Sequence, residues 1–133
     1  MAFVLDASVT AAMAAMEERS EYVEQVEWRL IRESAVVPPI WWYEVRNFLV
    51  VSERRKRLKL EDSSEFLAIL ATYPIEIDPQ VQQDRALLSA RSHGLSVYDA
   101  AYLELAQRRR LPLATLDRAL EAAARAEGIQ LLD

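Results

Sequence analysis

Leu95-Ser96-Val97-Tyr98-Asp99-Ala100-Ala101-Tyr102-Leu103-Glu104-Leu105-Ala106 has the pattern of a buried helix with one acid near its beginning. Gly94 closes whatever precedes it and Ser96 can serve as N-cap. Val97, Ala100, Ala101, Leu103 and Leu105 then give nearly all-round apolar cover. Such a helix holds the Asp99 carboxylate at a fixed point near its N-terminus. Taken alone, Ser-x-x-acid resembles a capping box, and an acid in the first turn also favours the helix dipole.

Working outward, the same chain alternates short apolar runs with helical patterns. Towards the C-terminus, Pro112 starts the strand-like Leu113-Ala114-Thr115, Asp117 stands at the hand-over to a helix over Arg118–Ala126, and Gly128 precedes a last strand at Ile129–Leu132. Upstream, Val81–Ser92 reads as a helix and Ile75-Glu76-Ile77 as a strand bounded by Pro74 and Pro79. Further back come a strand at Ala2–Leu5 ending at Asp6, a helix over Val9–Glu17 capped by Asp6 or Ser8, and a second helix from Tyr22 to about Glu33. Ala35-Val36-Val37 is a strand stopped by Pro38-Pro39, Ile40–Ser52 a helix, and Glu61-Asp62-Ser63 opens another. Strand–helix alternation with short connections predicts an α/β fold, a three-layer α/β/α sandwich with a mostly parallel central sheet.

Composition narrows the chemistry. At 133 residues, with 52% hydrophobic and 28% charged, the chain reads as one globular domain spanning 1–133. With no cysteine, disulfides and thiolate sites are excluded, and one histidine leaves little room for imidazole chemistry. No signal peptide or membrane-length apolar run is present, so a cytoplasmic location is expected. A net charge of −5 makes the protein a poor non-specific nucleic-acid binder; Arg54–Lys59 and Arg108–Arg110 are its only candidate phosphate contacts. His93, beside Gly94 at a helix end, reads as structural, and Met13 and Met16 read as core.

Ligands of open parallel sheets bind outside the carboxyl ends of the strands. Asp6 and Asp117 directly or nearly follow strand runs, while Glu44 and Asp99 lie early on helices, which places them on the same edge if those helices also begin at the carboxyl ends. Asp6 and Asp117 each have an alternative reading as N-caps, worth about 1 kcal/mol. Glu44, between Tyr43 and Val45 in an aromatic helical run, is harder to assign to capping unless it faces solvent. Four converging carboxylates repel unless a cation neutralises them, and the cation suited to oxygen ligands is hard and divalent, Mg²⁺ or Mn²⁺. Such an ion supports phosphoryl chemistry with water as nucleophile.

The chain resembles the PIN-domain ribonucleases, and among them the VapC-like toxins of toxin–antitoxin pairs. The likeness rests on Val4-Leu5-Asp6-Ala7-Ser8, on Pro39 through Glu44-Val45-x-Asn47, on Leu95-Ser96-x-Tyr98-Asp99-Ala100-x-Tyr102-Leu103-x-Leu105-Ala106, and on Leu113-Ala114-Thr115-x-Asp117. It spans the whole chain, and its specific part is Tyr-Asp-Ala-x-Tyr-Leu-x-Leu-Ala. It implies Asp6 and Asp99 as principal metal ligands, Glu44 and Asp117 as the other acids of the pocket, and Ser8, Asn47 and Thr115 as supporting polar residues. It further implies Mg²⁺ or Mn²⁺ dependence, RNA cleavage, a homodimer and an inhibiting cognate antitoxin. Trp41-Trp42-Tyr43 is richer in aromatics than the leucine-rich version common in the family. Two other readings are a PIN-like binding module without catalysis and a phosphoacceptor receiver domain. The latter needs paired acids after the first strand and a lysine after the last, but Asp6 has apolar neighbours and the only lysines are Lys56 and Lys59.

Overall fold

A computed structural model describes residues 1–133. Four strands form one sheet in the order β3-β2-β1-β4: β1 (Ala2–Leu5), β2 (Ser34–Val37), β3 (Ile75–Ile77) and β4 (Leu113–Ala114). All pairings are parallel, with Phe3 opposite Ala35, Val4 opposite Leu113, and Val36 opposite Glu76. The seven helices are α1 (Ala7–Ala14), α2 (Glu21–Leu30), α3 (Ile40–Arg54), α4 (Leu60–Leu70), α5 (Gln83–His93), α6 (Val97–Arg109) and α7 (Arg118–Ala126). No helix is long and apolar enough to cross a membrane.

Handedness assigns the layers. Successive right-handed crossovers from β1 to β2 to β3 put α1 to α4 on one face; the return from β3 to β4 puts α5 and α6 on the other, where α7 joins α6. The result is the three-layer sandwich expected from the alternation. Strands β1 and β2 are sealed on both sides: Phe3, Val4, Leu5, Ala35 and Val37 have no exposed surface, and Val36 scarcely any. Because the chain leaves β1 towards one face and β4 towards the other, the crevice between their carboxyl ends is the switch point of the sheet.

Most boundaries shift by one to three residues from the sequence reading; the larger departures are in the first helix and the last strand. The first helix begins at Ala7 and breaks at Ala15, whose extended backbone leads into a single 3-10 turn at Met16–Glu18. Arg19 donates to the Met13 carbonyl at 2.9 Å and satisfies that helix end from outside, so neither glycine nor proline is needed there. Met13 is buried, but the break turns Met16 out to 84% exposure, against the expectation that both belong to the core. The last strand reduces to one parallel bridge between Leu131 and Leu113.

Helix α6 forms where its sequence places it, but the expected all-round burial begins only at Ala100: Val97, in the first turn, is 49% exposed. The Ser96 hydroxyl accepts from the Asp99 N–H at 3.0 Å, and Ala100, Tyr102, Leu103, Leu105 and Ala106 are buried. The helix ends in a Schellman-type turn, with Leu111 N–H bonded to Ala106 O and Arg110 N–H to Gln107 O. There Arg110 takes the left-handed conformation that glycine usually fills, at φ 56°.

Candidate active site

The site is built at the switch point. Asp6 continues β1 by one residue, its N–H donating to Ala114 O at 3.0 Å, and its side chain is 4% exposed. It occupies the N-cap position of α1, yet its carboxylate caps nothing. Instead, one oxygen accepts the Ser8 hydroxyl at 2.6 Å and the Thr115 hydroxyl at 2.7 Å, reaching across the crevice from β1 to the end of β4. Both hydroxyls are themselves held, since Ser8 Oγ accepts from Leu116 N–H and Thr115 Oγ1 from Asp117 N–H, each at 3.0 Å. An acid used for capping would spend its oxygens on helix amides; Asp6 has its orientation fixed by two hydroxyls.

Helix α3 brings the second acid. Trp41 is buried and its indole N–H donates to Thr10 Oγ1 at 2.9 Å, pinning the first turn of α3 to α1. Glu44, three residues on, is half-buried and accepts the Tyr102 hydroxyl at 2.6 Å. Tyr102 has no exposed surface, so this bond joins α3 to α6 through the interior. The site role of Tyr102 is hidden in the sequence, where a tyrosine on an all-round apolar helix reads as core.

Asp99 lies in the first turn of α6, and Ser96 is the cap; the reciprocal bond of a capping box, from Ser96 N–H to the Asp99 carboxylate, is absent. Asp117 does cap, accepting the Leu120 N–H of α7 at 3.0 Å. Its alternative reading is therefore realised in the structure, without removing its charge from the site. Asn47 is exposed one turn beyond Glu44 and bonds to none of the four acids.

Electrostatics tie the four acids together. Burial raises the Asp6 pKa above the ordinary carboxylate value, Ser8 and Thr115 oppose the rise, and the charges of Asp99 and Asp117 add to it. Glu44 is likewise raised by burial, opposed by Tyr102 and reinforced by Asp6 and Asp99. Asp99 is raised by burial and by Asp117. None of the four makes an ion pair with an arginine or lysine. This is a set of like charges without a paired protein cation, carboxylate oxygens of the kind a hard divalent ion takes. No three of the chain's acidic side chains are grouped closely enough to hold a metal ion by themselves.

The model of the PIN domain family matches residues 3–126. The chain belongs to the PIN domain family. It is 36% identical over 124 residues to Ribonuclease VapC3 of Pyrobaculum aerophilum, covering 90% of this chain and 92% of that one. To Exonuclease VapC9 of the same organism it is 31% identical over 121 residues, covering 90% and 84%. Among solved structures, that of PAE2754 from Pyrobaculum aerophilum superposes with a TM-score of 0.70 at 30% identity, over 92% of this chain and 79% of the other. A toxin–antitoxin complex from Klebsiella pneumoniae shares the fold, with a TM-score of 0.55 at 19% identity and 86% of each chain covered.

A concavity of about 560 Å³ in this PIN domain chain lies elsewhere, around Gln82, Arg85, His93 and Glu127. His93 Nε2 meets Glu127 Oε2 at 2.7 Å, and the Ser89 hydroxyl donates to the same oxygen at 2.9 Å. Glu127 and Asp117 flank opposite ends of α7, about 15 Å apart by helical rise. The histidine thus stitches α5 to α7 and stands apart from the acids.

Proposed function

We propose that this chain is a divalent-metal-dependent endoribonuclease acting as the toxin of a toxin–antitoxin pair, its 133 residues forming one catalytic domain. The observation that carries this reading is the buried Asp6 carboxylate, fixed by Ser8 and Thr115 near three further acids, none of them in an ion pair. Asp6 and Asp99 would hold Mg²⁺ or Mn²⁺. When bound, that ion supplies charge stabilisation at the phosphoryl oxygens and a lowered pKa for the attacking water.

The protein's own groups do the rest. Glu44 has one oxygen occupied by Tyr102 and the other free to orient a water and take its proton; its raised pKa brings it nearer the range where a base is effective. As the water oxygen bonds to phosphorus, the bond to the 3′-oxygen breaks and that oxygen takes up a proton. The products are a 5′-phosphate and a 3′-hydroxyl. A mechanism using the substrate's 2′-hydroxyl commonly needs an acid and a base near neutrality, and the one histidine is bound to Glu127.

The relatives carry both ribonuclease and exonuclease in their names, so the test uses circular RNA, which only an internal cut can open. Purified protein with Mg²⁺ or Mn²⁺ should linearise it, EDTA should stop the reaction, and His93→Ala should leave the rate unchanged. A 2′-deoxy residue on the 5′ side of the scissile phosphate should still be cut. A 2′,3′-cyclic phosphate end, or cleavage that survives EDTA, overturns the proposal. A PIN-like module without catalysis would cut nothing under any of these conditions.

Tyr102→Phe supplies a finer check. It removes the hydrogen bond that lowers the Glu44 pKa, so that pKa rises further and the acid limb of the pH–rate profile moves to higher pH. A hydrogen bond to a charged group is worth about 1.5–3 kcal/mol, so the rate on the acid limb should fall roughly tenfold to a hundredfold and recover as pH rises. A loss equal at every pH would remove Glu44 from the proton transfer. The partners proposed with this activity are an RNA substrate, a second copy of the chain, and an antitoxin presenting a basic side chain to the acids. Light scattering at micromolar concentration tests the dimer.

A further inference from the structure

The solvent side of α3 carries a pattern that the acid site does not use. Tyr43, Asn47, Val50 and Arg54 recur at i, i+4, i+7 and i+11, which makes one stripe along the helix, and all four are exposed. Glu44 borders that stripe, half-buried. At the stripe's beginning, the Tyr43 ring is 64% exposed and is braced edge-to-face by Trp42 at 5.1 Å. Trp42 is in turn covered by the Arg46 guanidinium, 4.0 Å from its ring centre. At the stripe's end, Arg54 leads into Arg55, Lys56, Arg57 and Lys59, all exposed and none in an ion pair.

Those five cations stand out against a chain of net charge −5, since without them the remainder is at −10. Of the eleven cations elsewhere, Arg19, Arg29, Arg108, Arg109 and Arg125 pair with carboxylates, and the unpaired ones form no comparable run. The stripe itself holds no acid. The one acid in the last turns of α3, Glu53, is bound by the Ser63 hydroxyl at 2.6 Å. A rigid, open aromatic ring followed by a run of unpaired cations, about 16 Å further along the helix, is complementary to a chain of stacking bases and phosphates.

We propose that the exposed stripe of α3 and the turn that follows it are the docking track for single-stranded RNA, with a base on Tyr43 and phosphates along Arg54–Lys59. The inference rests on the nuclease reading, because Tyr43 adjoins Glu44 and the track therefore begins where cleavage would occur. Duplex RNA keeps its bases stacked inside the helix and cannot use the ring, so the track selects unpaired strands. It also reconciles an acidic protein with a polyanionic substrate: the grip is local.

Binding of a fluorescein-labelled, unstructured oligoribonucleotide is measured by polarisation over a salt series, on full-length Asp99→Asn protein so that nothing is cut. Removing three cations together, Arg54→Ala, Arg55→Ala and Arg57→Ala, should weaken binding at least tenfold and flatten the slope of log affinity against log salt by about 2. Tyr43→Ala should weaken binding by about tenfold or more with the slope unchanged, and Tyr43→Phe should restore it. A duplex of the same sequence should compete poorly. Cleavage by the otherwise native chain is followed in parallel: if it is absent while these binding effects hold, the catalytic reading fails and the track stands. Unchanged affinity and slope in the triple variant, with its melting temperature intact, overturn the track. So does a Tyr43→Ala protein that turns from dimer to monomer with RNA affinity unaltered, which would make this face an interface between copies of the chain.

Discussion

Asp6→Asn is expected to reduce RNA cleavage by about a thousandfold or more, equivalent to about 4 kcal/mol of transition-state stabilisation, while raising the melting temperature of the protein in chelator at neutral pH. The two halves have one cause. Asp6 is a buried carboxylate whose pKa is raised by desolvation and by the charges of Asp99 and Asp117, so its ionised form opposes the fold unless a cation is bound. Asparagine keeps an oxygen for the Ser8 and Thr115 hydroxyls that now meet at one Asp6 oxygen, and removes the charge. A carboxylate with a raised folded-state pKa contributes its stability below the ordinary value, 3.8 for Asp6, and loses it as pH rises through the folded-state pKa. The gain from Asp6→Asn should therefore be present at pH 7 and vanish in acid. Glu44 and Asp99, shifted the same way, should show the same sign. Thermal melts in EDTA at several pH values, beside a cleavage assay with Mg²⁺, separate the outcomes. A destabilised variant that still cuts would make Asp6 a structural residue.

Much of this site was legible because its parts obey strong local rules. Short apolar runs bounded by turn residues and alternating with helical patterns read as parallel strands, and an acid at or just past the end of such a run lies on the carboxyl edge. That is how Asp6 and Asp117 declare themselves. Ser96 announces the start of α6 and so the place of Asp99. Other features depend on residues far apart in sequence. Tyr102 reaches Glu44 across 58 positions, and no periodicity in either helix distinguishes its hydroxyl from a core tyrosine's. The break at Ala15 depends on Arg19 folding back on Met13, a contact that leaves no turn residue as its mark. The arginines after Gln107 read as a basic run open to phosphate, yet Arg108 and Arg109 are tied to acids about 30 residues upstream. A charge run shows its sign in the sequence and its partners only in the fold.

Those partners give the second large effect. Arg108→Ala is expected to destabilise the protein by about 3–5 kcal/mol and, for a chain of this length, to lower its melting temperature by roughly 10–20 °C. Glu104 is 1% exposed, and Arg108 grips it with two bonds, Nε to one oxygen at 2.7 Å and Nη2 to the other at 3.2 Å. The same guanidinium donates to Asp78 at 3.0 Å and to the Gln80 carbonyl at 2.8 Å, fastening the loop after β3 to the last turns of α6. Removing it leaves a buried carboxylate without its counter-ion, a penalty larger than the net worth of the intact pair. Burial alone would raise Asp78, but hydrogen bonds from Arg109 and Arg108 hold its pKa below the ordinary value. Asp78 thus contributes stability above its unfolded pKa that is lost as pH falls through the folded one, so the variant should differ least from the native protein in acid. Lysine cannot reproduce the fork and should rescue little, whereas pairing Arg108→Met with Glu104→Leu removes both charges and should recover most of the loss. Asp99 lies about 14 Å back along α6, so cleavage by the folded fraction at low temperature should stay near the native rate. A weakened grip on RNA with an unchanged melting temperature would return Arg108 to the role its sequence context first offered.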